Sequence, residues 1–159
     1  MAAYSQVKRK AEDGFEAIIT NLQGAALSGV PIYKGMDVEE LTGTRIEILC
    51  ERALPEVLSD TITGNYRCEV EIRLVAHYKD KTRAQRTAME DELFDICMRD
   101  DIADQINNAG ILDFWVYGGG GPGAGESWEP EAVESGVLGT GVRAESISGV
   151  LYCRPALAT

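Results

Sequence analysis

The longest regular pattern in the chain runs over residues 65–78, NYRCEVEIRLVAHY, where apolar and polar positions alternate. A period of two residues is typical of a strand with one buried face. At about 3.3 Å per residue the segment would span roughly 40 Å, far more than a typical strand. We therefore expect its far end to extend past its own core and to contact a neighbouring subunit. The apolar positions are Tyr66, Cys68, Val70, Ile72, Leu74, Ala76 and Tyr78.

Two kinds of periodicity organise the first third of the chain. Apolar residues at helical spacing predict an amphipathic helix over residues 4–26. Pro31 then leads into a short extended piece at residues 32–34. Alternating apolar and charged positions predict a strand over residues 45–51. Residues 53–64 are too many for a tight hairpin, so we expect a wide loop before the long strand.

A helical period returns over residues 79–101, directly after the long strand. Thr82 and Gln85 have the spacing of a capping box, in which hydroxyl and amide side chains satisfy backbone donors at a helix start. A second, shorter helix is predicted over residues 101–108. The apolar side of the first of these helices is formed by Met89, Leu93, Ile96 and Cys97.

The rest of the chain predicts two strands separated by a glycine-rich segment. Residues 111–117 form an aromatic strand in which Trp115 is expected to be core. Residues 118–136 have the composition of a flexible loop, because glycine loses most conformational entropy when it is ordered. The last strand covers residues 141–154, where apolar positions fall on both parities, and a bulge near Gly149 would reconcile them.

The order of these elements predicts an α+β fold with an antiparallel or mixed sheet and helices packed mainly on one face. The 159 residues are enough for one domain, residues 1–159, with the glycine-rich loop inside it. No apolar run reaches the roughly 18 to 20 residues that a membrane span needs. We expect a protein that is soluble and cytosolic when it is made.

Acidic residues outnumber basic ones by 26 to 15, which gives a formal net charge of -11. This balance opposes tight binding to nucleic acid, because affinity for phosphate comes from lysine and arginine. An acidic wall can still surround DNA usefully, since it repels the phosphates and lets the polymer slide.

The cysteines and the single histidine give no sign of a catalytic or metal site. Cys50, Cys68, Cys97 and Cys153 lie far apart without a CxxC pair, so we expect buried, reduced thiols. His77 is an odd number of residues from Cys68 and projects from the opposite face of the strand, which excludes a local Cys/His dyad. We predict no catalytic residue, no metal and no cofactor.

The polar face of the long strand carries a stripe of alternating charges, Arg67, Glu69, Glu71 and Arg73. The two glutamates are roughly 7 Å apart, a separation that also suits an inverting hydrolase or a metal. The flanking arginines favour a salt-bridged surface instead. We therefore predict that the four residues form an inter-subunit or lumenal charge stripe.

The glycine-rich loop contains a formal G-x-G-x-x-G match at Gly118, Gly120 and Gly123. Glutamates follow it instead of a helix start suited to an anion, so the match reflects glycine content and predicts no phosphate site. Trp128 lies in the same loop, and an exposed tryptophan on a loose tether is a good anchor for a partner. Gly120, Gly123 and Trp128 are therefore predicted to form a partner loop, the alternative being that Trp128 folds back on its own domain.

Six segments in order resemble a tail terminator, or tail-completion protein, of long-tailed bacteriophages. They are the amino-terminal helix, PIYKG, TRIEILCER, NYRCEVEIRLVAHY, MEDELFDICMRDDIADQI and SISGVLYCRPA. The resemblance covers most of the chain and rests on element order, size and pattern. Residues 118–136 have no counterpart in it.

The resemblance implies an α+β protein that is not an enzyme. Such proteins form a hexameric ring on the last ring of the tail tube, contact the neck or connector, and let DNA pass without specific binding. It implies a location in the virion tail or neck, with assembly in the host cytoplasm and no membrane. The alternatives are a tail tube or head-completion subunit, a small acidic enzyme using Glu69 and Glu71, and a monomeric cytosolic adaptor.

Overall fold

A computed structural model describes residues 4–35, 43–57, 66–111, 114–117, 128–137 and 143–155. It confirms the α+β class, with helices and strands in the predicted order and one strand more than expected. No helix in these ranges is long and apolar enough to cross a membrane. The elements are α1 (Tyr4–Leu22), β1 (Ile32–Lys34), β2 (Arg45–Val57), β3 (Tyr66–Tyr78), α2 (Arg83–Cys97), α3 (Ile102–Asn108), β4 (Phe114–Val116), β5 (Trp128–Val137) and β6 (Arg143–Pro155).

The described strands form one mixed sheet in the order β1-β2-β3-β6-β4, with β5 pairing β6 along the same edge as β4. β1 runs parallel to β2, and every other pair is antiparallel. The long strand β3 is central, because β2 pairs with one of its edges and β6 with the other. Its backbone therefore offers no free edge to a second subunit.

One apolar core lies between the sheet and the helices. The alternating positions of β3 from Cys68 to Tyr78 are at most 3% exposed, as their period of two predicts. Our expectation that this strand extends past its own core is therefore wrong over these side chains. The cause is that α1, α2 and α3 contribute to the same core and cover that face within one chain. Their buried residues are Val7, Ala11, Phe15, Ile18, Ile19, Met89, Leu93, Ile96, Cys97, Ile102, Ala103 and Ile106.

β2 continues where the sequence predicted a wide loop. The strand extends to Val57, because a bulge between Cys50 and Arg52 shifts the register and returns Ala53 to the core side. Pro55 is tolerated since this part of β2 has no described partner on its other side, and edge strands accept proline. Only residues 58–64 of the predicted loop lie outside the described residues.

The predicted flexible loop is a strand over its second half. Residues 128–136, with Val137, form β5 and pair with β6 from Leu151 back to Arg143. The bulge that we placed near Gly149 is instead in β5, between Pro130 and Ala132, while β6 pairs with β3 without a register shift. Residues 118–127 lie outside the described ranges.

The helix ends follow from specific hydrogen bonds. In α2 the Gln85 backbone N–H donates to Thr82 Oγ1 at 3.2 Å and the Thr82 N–H donates to Gln85 Oε1 at 3.0 Å, so the capping box is confirmed. α1 ends at Leu22, four residues earlier than predicted. The following turn is fixed to α2, because the Leu27 N–H donates to Glu92 Oε2 at 2.7 Å.

Candidate functional site on the helix-free face of the sheet

The sheet face opposite the core carries the candidate site, and we call it the helix-free face because the described helices pack on the other side. Since side chains alternate along a strand, β3 contributes Glu69, Glu71, Arg73, Val75 and His77 to it. β2 and β6 pair with the two edges of β3, and their side chains in register with these residues lie on the same face. The face is therefore formed by three long adjacent strands.

The predicted charge stripe lies on this face. Glu69 and Glu71 are partly exposed and Arg73 is exposed, whereas the side chain of Arg67 lies outside the described residues. The Arg73 Nε atom is 3.1 Å from Glu51 Oε1, and both side chains are nearly half exposed. An exposed ion pair of this kind contributes at most about 1 kcal/mol. The stripe therefore adds little to stability, and its role at an interface or lumen remains a prediction.

Apolar side chains lie between these charges. Leu49 is opposite Arg73, Leu54 is opposite Glu69, and Val150 is opposite Glu71. Leu49 and Leu54 are partly exposed, whereas Val150 is buried although it is not part of the main core cluster. Protein interfaces have an apolar core and a polar rim, so this face is compatible with contact to another protein.

The burial of the two tryptophans is the reverse of what the sequence predicted. Trp115 was expected in the core but is 49% exposed. It pairs in register with Arg154, while Val116 pairs with the buried Cys153, so Trp115 projects from the helix-free face. Tyr33, 41% exposed and opposite Glu47, lies on the same face at the other edge of the sheet. An exposed aromatic residue therefore stands at each edge.

Trp128 is a core residue, which confirms the alternative that it folds back on its own domain, and its predicted role as a partner anchor is wrong. Its side chain is 8% exposed, and its indole N–H donates to the Cys97 carbonyl oxygen at 2.9 Å. The ring meets Phe15 edge-to-face at a centroid distance of 4.8 Å. Space for it comes from Gly149, where a Cβ atom would lie 2.6 Å from Trp128 Cη2. The sequence signal for the burial of Trp128 was Gly149 on the neighbouring strand, which we did not connect with it.

A partly buried polar cluster of Arg45, Glu47 and His77 lies at one end of the helix-free face. Glu47 Oε1 is 2.8 Å from Arg45 Nε, and Glu47 Oε2 is 3.2 Å from His77 Nε2. Burial acts to raise the pKa of Glu47, but Arg45 and His77 outweigh it and hold the pKa below its usual value. His77 is 6% exposed, and neither of its ring nitrogens makes a hydrogen bond of good geometry to a described residue, although Nε2 lies close to Glu47. The cluster fixes β2 to β3.

A second buried pair lies on the core side and was not foreseen from the sequence. Glu145 in β6 is 6% exposed and hydrogen-bonded to Glu90 in α2. Burial, followed by the Glu90 charge, raises the pKa of Glu145 to about 7. Desolvation likewise raises the pKa of Tyr78, which also faces these carboxyl groups. The pair therefore holds a proton at mildly acidic pH.

The cysteines are reduced, as predicted. All four are free, and Cys68, Cys97 and Cys153 are buried while Cys50 is half-buried. Burial raises the pKa of Cys50 to about 12 and that of Cys97 to about 12, so both thiols stay protonated at neutral pH. Within the described ranges no group of three metal-ligating side chains comes together. His77 and Cys68 project from opposite faces, as expected.

The candidate site thus combines predicted and unpredicted residues. Glu69, Glu71 and Arg73 share one face with Trp115, whereas Trp128 is buried in the core. Gly120 and Gly123 of the predicted partner loop lie outside the described residues. A scan against protein-family models finds no match, and a search of the curated proteins finds no similar sequence.

Proposed function

We propose that the chain is a non-enzymatic ring-forming protein of a long-tailed phage, a tail terminator that caps the tail tube and joins it to the neck. The observation that carries the proposal is the order and size of the elements. A long helix, a short strand, two 13-residue strands, a helix pair and a 13-residue closing strand occur in that order. This is the order on which the resemblance to tail terminators rests.

The helix-free face gives each subunit a surface for its neighbours. Trp115 and Tyr33 are exposed at its two edges, and large aromatic residues dominate the binding energy of many interfaces. A neighbour that contacts one edge leaves the other edge for the next copy, which is a head-to-tail arrangement. Such contacts generate a ring when the rotation closes. A closed ring leaves no subunit edge for further growth.

The charge of the chain is compatible with a ring through which DNA passes. At a net charge of -11, a lumen lined by this protein repels phosphates and lets DNA move without adhering. In this proposal one rim of the ring binds the tail tube protein and the other binds the neck or connector. The protein then resides in the virion after assembly in the host cytoplasm.

Electron microscopy of the purified protein, alone and mixed with its tail tube protein, tests the proposal. We expect single rings, and tubes that end in one additional ring and stop growing. A tube subunit would instead polymerise without limit. A protein that stays monomeric at every concentration, with and without tube protein, contradicts the proposal.

A further inference from the structure

A polar cleft of about 330 Å³ lies on the opposite side of the molecule from the candidate site, at the start of α2. Arg83 and Arg86 come from the first turns of α2, and Arg143 comes from the first residue of β6. Thr87 and Glu90 complete the lining. We call this the basic cleft.

The three arginines of the basic cleft have no partner within the described part of the chain. Three arginines elsewhere pair with carboxylates: Arg45 with Glu47 at 2.8 Å, Arg73 with Glu51 at 3.1 Å and Arg99 with Asp101 at 2.7 Å. No ion pair or side-chain hydrogen bond to a described residue involves Arg83, Arg86 or Arg143. Three unpaired guanidinium groups around one cleft in an acidic chain indicate an anionic ligand from outside.

The nearest carboxylate is already engaged. Glu90 lines the cleft, but it is hydrogen-bonded to Glu145, which lies behind it in the core. Glu90 is also the one carboxylate among the described lining residues and faces three guanidinium groups, so it cannot neutralise the cleft. The positive charge of the cleft is therefore available to a second molecule.

The edge strand β5 offers carboxylates that match this cleft. Glu131 and Glu134 are exposed and form no ion pair or side-chain hydrogen bond with a described residue, whereas Glu129 accepts a hydrogen bond from the Tyr152 hydroxyl at 3.2 Å. The outer edge of β5 has no partner strand in the described sheet. The acidic positions and the cleft lie on different elements, and β5 ends beside the cleft, where Val137 pairs with Arg143. Complementary charges on one chain suit a head-to-tail contact between copies.

We propose that the basic cleft of one subunit binds the acidic β5 edge of the next subunit, with Arg83, Arg86 and Arg143 recognising Glu131 and Glu134. This contact rests on the proposed ring and identifies residues that close it. Because the interaction is between exposed charges, it weakens as salt rises.

Charge reversal on both sides of the contact tests the proposal by sedimentation velocity. We expect Arg83→Glu with Arg143→Glu, and separately Glu131→Arg with Glu134→Arg, to raise the apparent dissociation constant at least about tenfold. All four substitutions together should restore assembly. Arg9→Glu with Arg99→Glu is the matched control, because it makes the same charge change at exposed residues, with Arg99 lying just past the far end of α2 from the cleft, and should leave the ring intact.

Three results would overturn the proposal. If both double variants form rings as the unmodified protein does, the basic cleft is not an interface, while the proposed function stands. If the unmodified protein is monomeric even with tube protein, both proposals fail. If a short DNA duplex binds at low salt and the cleft variant loses this binding, the cleft recognises phosphates and not a second copy.

Discussion

Glu145 makes stability depend on pH at the scale of a single residue. The pKa of Glu145 rises from 4.5 in the unfolded chain to about 7 in the folded protein. Between pH 4.5 and about 7, the folded state therefore keeps a proton that the unfolded state has already released. The contribution of Glu145 to the free energy of unfolding is therefore fully present below pH 4.5. It falls as the pH increases to about 7 and stays reduced above that pH. Because glutamine does not ionise, Glu145→Gln should remove this loss of stability at high pH. We expect the variant to be more stable than the unmodified protein at pH 8 by on the order of 2 kcal/mol.

Thermal unfolding of Glu145→Gln and the unmodified protein, at pH 4 and at pH 8, measures this effect. The two proteins should differ at pH 8 and agree closely at pH 4. Asp95→Asn is a suitable control, because Asp95 is exposed on the same layer of helices. An equal change at both pH values would show that packing, and not ionisation, is responsible.

Gly149 is the second residue whose replacement should change the stability of the fold, because there is no space for a side chain at this position. A Cβ atom there would lie 2.6 Å from the Glu129 carbonyl oxygen and 2.6 Å from the Trp128 ring. Because one of these atoms is backbone, Gly149→Ala should displace β5 or the indole and destabilise the fold by about 1 to 3 kcal/mol. Urea unfolding measures the cost. Gly136→Ala is the control in β5, since no atom lies within 4 Å of its Cβ position, and an equal loss there would refute the explanation.

At the scale of elements, the capping box determines where α2 begins. Thr82→Ala removes the hydroxyl that accepts from the Gln85 N–H, and we expect a loss of about 1 kcal/mol in the free energy of unfolding. Thr82→Ser keeps that oxygen and should lose much less. Urea midpoints of the two variants decide this, and equal midpoints would mean that the cap is not a source of stability.

Elements with a clear period could be predicted from the sequence, and those without one could not. α2 and β3 have apolar residues at fixed spacing, so their buried faces were correct. The bounds of β3 were within one residue, whereas α2 begins four residues later and ends four residues earlier than its periodic segment. β5 contains Pro130, Gly136 and three glutamates, which resemble a loop in composition. It is a strand because β6 offers it a free edge and Gly149 makes room for Trp128. That pairing is a tertiary effect that local composition does not encode.

The candidate site was predictable to the same extent. Strict alternation in β3 predicted that Glu69, Glu71 and Arg73 share one face, and this was correct. The exposure of Trp115 was not predictable, because Phe114, Trp115 and Val116 are all apolar. A strand without polar positions does not show which side chain faces solvent. The basic cleft was also missed, since Arg83 and Arg143 meet only through the packing of α2 beside the start of β6.

For the whole molecule, Trp115 is the side chain that the proposed ring depends on most. Trp115→Ala should weaken self-association by about 2 kcal/mol, roughly a thirtyfold increase in dissociation constant, because an exposed tryptophan at an interface is a typical hot spot. Sedimentation equilibrium measures the change. Phe94→Ala is the matched control, since Phe94 is 42% exposed on the helical side. If both variants associate as the unmodified protein does, the helix-free face is not the contact surface.

The pairing of β6 has a consequence for how the chain folds. β6 is the antiparallel partner of β3, β4 and β5, and its Cys153 lies beside Cys68, 85 residues earlier in the chain. The β2–β3 hairpin can form early from nearby residues, but the other side of β3 stays unprotected until β6 has been synthesised. Pairing of strands that are so far apart in sequence makes folding slow. The entropy of closing the long loop is lost before the contacts that compensate for it can form. The newly made chain is thus most vulnerable to misassembly just before this strand docks.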